Sequence, residues 1–262
     1  MKAQISGTER AKVLLPKIKL KEAHMQRLVI ASAILLSTPY IVFSEAERKE
    51  MEQEEVAPDE DLMREHGILN RLLLIYQEIS RRIDNHESFP VRSLVESVHI
   101  VRSFLEDYHE KLEENFVFPL FEKAGRQVEL VKALREQHNA GRDLTDFILK
   151  HSNEDLLKDE IQRMLLSDYL KLYVRMFRPH AAREDTVLFP EFKKLISKDE
   201  YNRLGDVFED KEHQLFGANG FEKTVAKVSE IEKQLGIYNL SQFTPQTMEK
   251  SKDMDLKQSG AK

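Results

Sequence analysis

The 262-residue chain contains no cysteine. This absence excludes disulfide bonds, thiolate-bound iron–sulfur clusters and thiol redox chemistry, although it leaves the cellular compartment open. Tryptophan is also absent and glycine occurs only nine times, whereas charged residues make up 33% of the chain. Because Glu, Lys and Leu are abundant and apolar residues recur every 3.5 to 3.6 positions, the sequence predicts an all-α protein with one main domain of up to about 200 residues.

Two segments of the chain resemble each other, HEKLEENFVFPLFEK from His109 and HAAREDTVLFPEFKK from His180. Each begins with His, has Glu four residues later followed by a second acidic residue, and reaches Phe-Pro at the ninth and tenth residues after the His. A further histidine precedes each segment, His66 by 43 residues and His138 by 42 residues. This repeat, with a period of 71 to 72 residues, is the strongest indication of function in the sequence.

The His-x-x-x-Glu spacing has a direct chemical meaning, because residues i and i+4 of an α-helix leave the same face. Two such helices and two further histidines supply four imidazoles and two carboxylates, and each carboxylate can bridge two metal ions. The set therefore fits a dinuclear centre. Imidazole and carboxylate ligands without any thiolate favour iron, or less strongly manganese, over structural zinc. The candidate ligands are His66, His109, Glu113, His138, His180 and Glu184.

Apolar periodicity predicts four long helices, each with its motif residues on the apolar stripe. The approximate ranges are 61–83, 90–117, 127–150 and 155–188, and Pro119 is expected to end or kink the second helix. An unpaired His or Glu is costly to bury, and metal ligation removes that cost. Short connections favour an up-down-up-down four-helix bundle around a dinuclear metal site. Two shorter helices are expected at about 198–216 and 220–235.

The ends of the chain differ in character from this bundle. Residues 1–44 carry a basic flank and an uncharged run from Leu28 to Ser44, which predicts either a signal peptide or a membrane anchor. Met25 is an alternative start. We therefore expect an exported (periplasmic or extracellular) or membrane-anchored protein, with membrane contact only through residues 28–44 if they are retained. The other predicted parts are a linker at 45–60, the bundle at 61–216, a C-terminal helix at 217–243 and a disordered tail at 244–262.

Removal of residues 1–44 would change the net charge from −6 to −11. A body with this acidic charge binds nucleic acid poorly, so no nucleic-acid partner is expected. No protein partner can be named from the sequence.

The six candidate ligands and the Phe-Pro steps resemble the hemerythrin-like family of His-His-Glu cation-binding bundles over about Asp61 to Leu195. The resemblance implies a non-haem di-iron site with two bridging carboxylates, formed by the same six residues, which binds or reacts with dioxygen, nitric oxide or peroxide. Oxygen-carrying members have a fifth histidine where this chain has Arg142, so the site resembles a four-His, two-Glu variant and reversible oxygen carriage is not expected. An oxidoreductase acting on peroxide or nitric oxide, a sensor of dioxygen or nitric oxide, and an iron-holding protein all stay open.

Several neighbouring residues carry weaker expectations. Glu114 and Asp185 lie about 140° round the helix from their histidines, so they are expected to pair with other groups rather than to bind metal. Gly141 allows either close helix packing or space beside the metals. Tyr76 and Tyr173 are expected in the core, with a reach towards the metals as the alternative, and His213 is expected in solvent.

Overall fold

A computed structural model describes residues 57–245 of the chain. The predicted signal peptide or anchor, residues 45–56 of the predicted linker and residues 246–262 of the predicted tail lie outside the described residues. Within residues 57–245 every regular element is helical and no strand occurs. None of the helices in this part of the chain combines the length and the apolar character needed to cross a membrane.

Four long helices form a bundle. Helix α1 is Pro58–Asp84 and α3 is Val128–His151. Two of the four are composite. Helix α2 consists of consecutive α and π segments, which are Val91–Ile100, Val101–His109 (π), Glu110–Leu112, Glu113–Val117 (π) and Phe118–Ala124. Helix α4 consists of Glu160–Arg183, Glu184–Leu188 (π) and Phe189–Phe192.

The two Phe-Pro steps do not end their helices, which corrects the expected end of the second helix at Val117. Pro119 and Pro190 each lie at the start of a further α segment, directly after a π segment that begins at Glu113 or Glu184. Proline lacks the N–H that an α-helix would bond to the carbonyl four residues earlier. The wider π turn accommodates that loss, and single π turns of this kind are frequent at functional sites.

Two predicted helix starts were also wrong, for local reasons. Helix α1 begins three residues before Asp61, because Pro58 suits the first turn and the acidic residues after it favour the helix N-terminus. Helix α4 begins at Glu160 rather than Asp155. A 3-10 turn, Leu156–Lys158, comes first, and the side chain of Asp159 then caps α4 by accepting from the backbone N–H of Gln162 at 3.1 Å.

The core lies between the four long helices, where α1 and α3 both pack against α4 and α2 contacts α1 and α3. It is filled by Leu, Ile, Val and aromatic side chains that are almost fully buried. Helices α5 (Lys198–Phe216) and α6 (Gly220–Gln234) lie on the outside of α1 and α2. A two-point ion pair fixes α6 to the bundle, with Arg71 Nε and Nη2 donating to Glu232 at 2.9 and 2.6 Å.

Candidate metal centre

The four motif histidines meet inside the bundle as two pairs. The Nε2 atoms of His66 and His109 are 3.1 Å apart, and those of His138 and His180 are 3.2 Å apart. Each ring is at least 96% buried. Each pair joins one histidine from a lone position with one from a His-x-x-x-Glu segment, so the sequence repeat is also a repeat in space.

The two motif glutamates lie between the histidine pairs. Glu113 Oε1 is 3.7 Å from His109 Nε2, and its Oε2 is 3.4 Å from His138 Nε2. Glu184 Oε2 is 3.1 Å from His180 Nε2 and 3.4 Å from His66 Nε2. Each carboxylate therefore contacts one histidine of each pair.

The carboxylate oxygens of Glu113 and Glu184 are fully buried and have no hydrogen-bond partner among residues 57–245. Buried carboxylates without partners are rare, because their desolvation is costly. A cation among the six groups would satisfy all four oxygens as well as the inward imidazole nitrogens. Two overlapping sets, Glu113 with His138, His180 and Glu184, and Glu113 with His66 and His109, lie close enough to share an ion. The donor set thus fits a bound metal.

The outward nitrogen of every histidine is held by an acceptor from another helix, which fixes the tautomer that presents a bare Nε2 to the centre. The four Nδ1–H groups donate as follows: His66 to Asp185 at 2.7 Å, His109 to Glu65 at 2.6 Å, His138 to Glu114 at 3.1 Å and His180 to Gln137 at 2.8 Å. As expected from their positions, Glu114 and Asp185 are partners of histidines.

The sequence analysis did not identify Glu65 and Gln137 as hydrogen-bond acceptors for the histidines. A signal for both was present, since Glu65 directly precedes His66 and Gln137 directly precedes His138. The repeat therefore includes an acceptor immediately before each lone histidine. That acceptor serves the histidine of the following His-x-x-x-Glu segment rather than its own neighbour.

Proton affinities in the metal-free centre are strongly perturbed. Burial and the nearby charge of Glu184 raise the pKa of Glu113 well above its ordinary value. Burial opposes protonation of His66, but the hydrogen bond to Asp185 and the nearby negative charge of Glu184 raise its pKa to about 9. Burial and the positive charge of His66 hold the pKa of His109 well below its ordinary value. Without metal, protons therefore supply the positive charge that the buried carboxylates require.

Beside the histidines lies a cavity of about 10 Å³, enough for one water-sized group. Its lining is apolar apart from the histidines and one carboxylate: His66, Leu69, Leu105, His109, Glu110, His138, Phe177 and His180. Glu110 Oε1 has no partner within residues 57–245, whereas its Oε2 accepts from Arg142 Nη2 at 2.7 Å. The same guanidinium donates to Glu114 Oε1 at 2.6 Å. Arg142 is thus engaged by carboxylates.

The weaker expectations have clear outcomes in the structure. A Cβ on Gly141 would lie 2.6 Å from Phe177 Cζ, so the glycine serves close packing of α3 against α4. Tyr76 and Tyr173 are core residues packed edge to face, with ring centroids 5.3 Å apart, and neither lines the cavity beside the histidines. The side chain of His213 is exposed.

Comparison with known proteins agrees with this geometry. The family model described as the hemerythrin HHE cation-binding domain matches residues 57–192 and 129–243. The chain is 48% identical over 190 residues to an uncharacterized protein of Mycobacterium bovis and to uncharacterized proteins of two Mycobacterium tuberculosis strains, covering 72% of this chain and 74% of each relative. No solved structure gives a significant match. The chain belongs to the hemerythrin HHE cation-binding family.

Proposed function

We propose that the protein holds two iron ions in a carboxylate-bridged centre, within an up-down-up-down arrangement of α1 to α4, and that it binds or reacts with dioxygen, nitric oxide or peroxide. One observation carries the proposal. Each of the two buried carboxylates contacts one histidine of each Nε2 pair, which is the arrangement that two bridging carboxylates between two metal ions require.

Some residues of the centre would bind the metal ions, and others orient the histidine rings. His66, His109, His138 and His180 would bind through Nε2, and Glu113 and Glu184 would bridge. Iron held by these residues would supply redox chemistry for small oxygen and nitrogen species. The Nδ1 acceptors keep each ring in place and raise the basicity of its Nε2, which strengthens metal binding. Manganese suits the same ligands, although four imidazoles favour iron.

The size of the cavity supports a small ligand. A volume of about 10 Å³ holds about one water-sized group, and the side chains of Leu69, Leu105 and Phe177 form part of its lining. Apart from the four histidines, Glu110 provides the one polar side chain in this lining. The cavity therefore favours a diatomic molecule or peroxide over an organic substrate.

A second candidate is an iron-holding protein, or a sensor of dioxygen or nitric oxide, that acts without turnover. The deep burial of the ligands favours it, since none of the four histidines is more than 4% exposed. Stopped-flow absorption of the reduced protein mixed with dioxygen, nitric oxide and peroxide separates the two candidates. Multiple turnovers of peroxide or nitric oxide support an enzyme, and a single stoichiometric reaction supports the alternative.

Metal content tests the centre itself. Protein expressed with ample iron should contain close to two irons per chain, measured by elemental analysis against protein concentration. His66→Ala should lower this ratio, whereas His99→Ala, which removes an exposed histidine on α2, should leave it unchanged. A reproducible value of one metal per chain, or zinc in place of iron, would contradict the dinuclear iron proposal.

A further inference from the structure

An open groove runs along the outer surface of the bundle between α3 and α4. Its volume is about 640 Å³, and all of its lining residues belong to these two helices. Sites for small organic molecules have volumes of about 300–1,000 Å³, so the groove is of suitable size for one. No other element among residues 57–245 contributes to its lining, and a ligand can therefore enter it directly from solvent.

Much of the lining of the groove is apolar and aromatic. Phe147 of α3 and Tyr169 of α4 stack on each other between the two helices, with ring centroids 3.5 Å apart and ring planes 15° apart. Met176 is half-buried, and Leu172 is 49% exposed although its side chain is apolar. A flat apolar molecule in the groove would remove this surface from water and could pack against the aromatic rings.

Two exposed charged side chains of the groove, Asp143 on α3 and Arg175 on α4, make no ion pair within residues 57–245. Other cations of α4 are engaged, since Lys171 and Arg178 each donate to a side chain of α1. A free guanidinium can bind a carboxylate through two parallel hydrogen bonds, and a free carboxylate accepts from a hydroxyl group. The groove therefore matches a ligand with an acidic group and a hydroxyl group on a flat apolar body.

One end of the groove adjoins the metal centre. Gln137 belongs to the lining of the groove, and its Oε1 accepts from His180 Nδ1–H at 2.8 Å. Pro179, directly before His180, lines the same end. A molecule in the groove would thus lie against a residue that orients a candidate metal ligand. The groove is in this respect part of the outer wall of the centre.

We propose that the groove between α3 and α4 binds a flat aromatic acid that carries a hydroxyl group. The aromatic body packs on Leu172 and on the stacked rings at the other end of the groove. The carboxylate of the ligand pairs with Arg175, and its hydroxyl donates to Asp143. None of these contacts requires a metal ion, so the site is separate from the metal centre that it adjoins.

A fluorescent compound of this class is 6-hydroxy-2-naphthoate, which has two fused rings with a hydroxyl and a carboxylate at opposite ends. Titration with the iron-loaded full-length protein, followed by fluorescence anisotropy, should show one molecule bound per chain. For a ligand of this size we expect a dissociation constant of about 10⁻⁵ to 10⁻³ M. Arg175→Gln should weaken binding about tenfold, because a charge-assisted pair is lost. Arg178→Gln, on the same helix but outside the lining of the groove, should bind like the wild type.

A second comparison separates the charge of the ligand from its shape. The analogue 2-naphthol lacks the carboxylate, so wild type and Arg175→Gln should bind it equally. Leu172→Asp should abolish binding of both compounds, whereas Ile161→Asp, at an exposed position of α4 outside the groove, should not. No saturable binding of the naphthoate in the millimolar range, or equal affinities of Leu172→Asp and Ile161→Asp, would overturn the proposal. Equal effects of the two arginine substitutions would overturn it as well. Binding should persist in His66→Ala, so failure of the iron proposal leaves this test intact.

Discussion

The Nε2 atom of His66 lies 3.1 Å from the Nε2 atom of His109, although the two residues are 43 positions apart in the chain. Both rings already donate their Nδ1–H groups to carboxylates. Two bare imidazole nitrogens at this distance repel each other unless a proton or a metal ion lies between or beside them. The bundle therefore brings together groups that require a cation, and this requirement couples metal binding to folding.

Removal of metal should destabilise the protein. Binding to the folded state alone contributes about 4 kcal/mol at a free metal concentration 1,000 times the dissociation constant. For a domain of this size we expect chelation to lower Tm by roughly 10 °C, measured by calorimetry. Re-addition of iron should restore the transition. An unchanged Tm after complete chelation would show that the six residues do not form a buried metal site.

The metal-free protein should lose stability as pH rises from about 6.5 to 9. Burial lowers the pKa of His66, but its hydrogen bond to Asp185 and the charge of Glu184 raise this pKa to about 9. Burial raises the pKa values of Glu65 and Asp61 to about 8 and 7. The folded state then holds more protons than the unfolded state in this window, so the free energy of unfolding falls with pH. The loss should be on the order of a few kcal/mol, measured from urea midpoints.

The metal-loaded protein is the matched control for this pH series. Metal replaces the protons at the centre. The free energy of unfolding of the metal-loaded protein should therefore depend less steeply on pH over the same window. Metal affinity should rise with pH for the same reason. A metal-free protein that becomes more stable between pH 6.5 and 9 would contradict these proton assignments.

The outer acceptors should affect metal affinity without binding metal. Asp185→Ala removes the acceptor of His66 Nδ1–H, so the ring loses its fixed orientation and Nε2 becomes less basic. Loss of such a partner typically weakens metal binding by 10- to 100-fold. Competition with a chelator measures the change, and Asp206→Ala, at an exposed position on α5, is the control. Equal affinities in the two variants would assign Asp185 a merely structural role.

The sequence repeat was sufficient to place the six candidate ligands on four helices, because His-x-x-x-Glu spacing and apolar stripes are local properties. The pairing of His109 with Glu65, and of His180 with Gln137, joins different helices and depends on how those helices are rotated against each other. The apolar periodicity within one helix does not predict how that helix is rotated against its neighbours. Recognition of the repeated acceptor before each lone histidine would have been the only route to these partners.

The π segments show a similar limit. Pro119 and Pro190 were visible in the sequence, and loss of the N–H predicts a disturbed helix. Whether the helix ends or widens depends on packing around the prolines. Phe118 and Phe189, directly before them, stack on His138 and His66 and are completely buried. That burial favours continuation of each helix beyond its proline.

Gly141→Ala should destabilise the bundle, since its new methyl group would overlap the ring of Phe177 at 2.6 Å. Overpacking of this kind costs about 1–3 kcal/mol, which exceeds the gain of about 1 kcal/mol from replacing glycine in a helix. Gly67→Ala is a matched control, because a Cβ on Gly67 has nothing within 4 Å and should stabilise α1. Thermal unfolding of both variants measures the contrast, and a Gly141→Ala protein at least as stable as wild type would contradict the packing role.

The reactivity of the centre should depend on Arg142, whose guanidinium holds Glu110 and Glu114 at 2.7 and 2.6 Å instead of offering a metal ligand. With one nitrogen fewer than an oxygen carrier, iron in the centre would keep an exchangeable position. We expect the iron-loaded protein to decompose peroxide and the reduced protein to autoxidise rapidly, followed by stopped-flow absorption. Arg142→His should slow autoxidation if the new imidazole fills that position, whereas Arg142→Gln, which removes the charge without adding a ligand, should not. A stable and reversible oxygen complex of the unmodified protein would contradict this view and favour oxygen carriage.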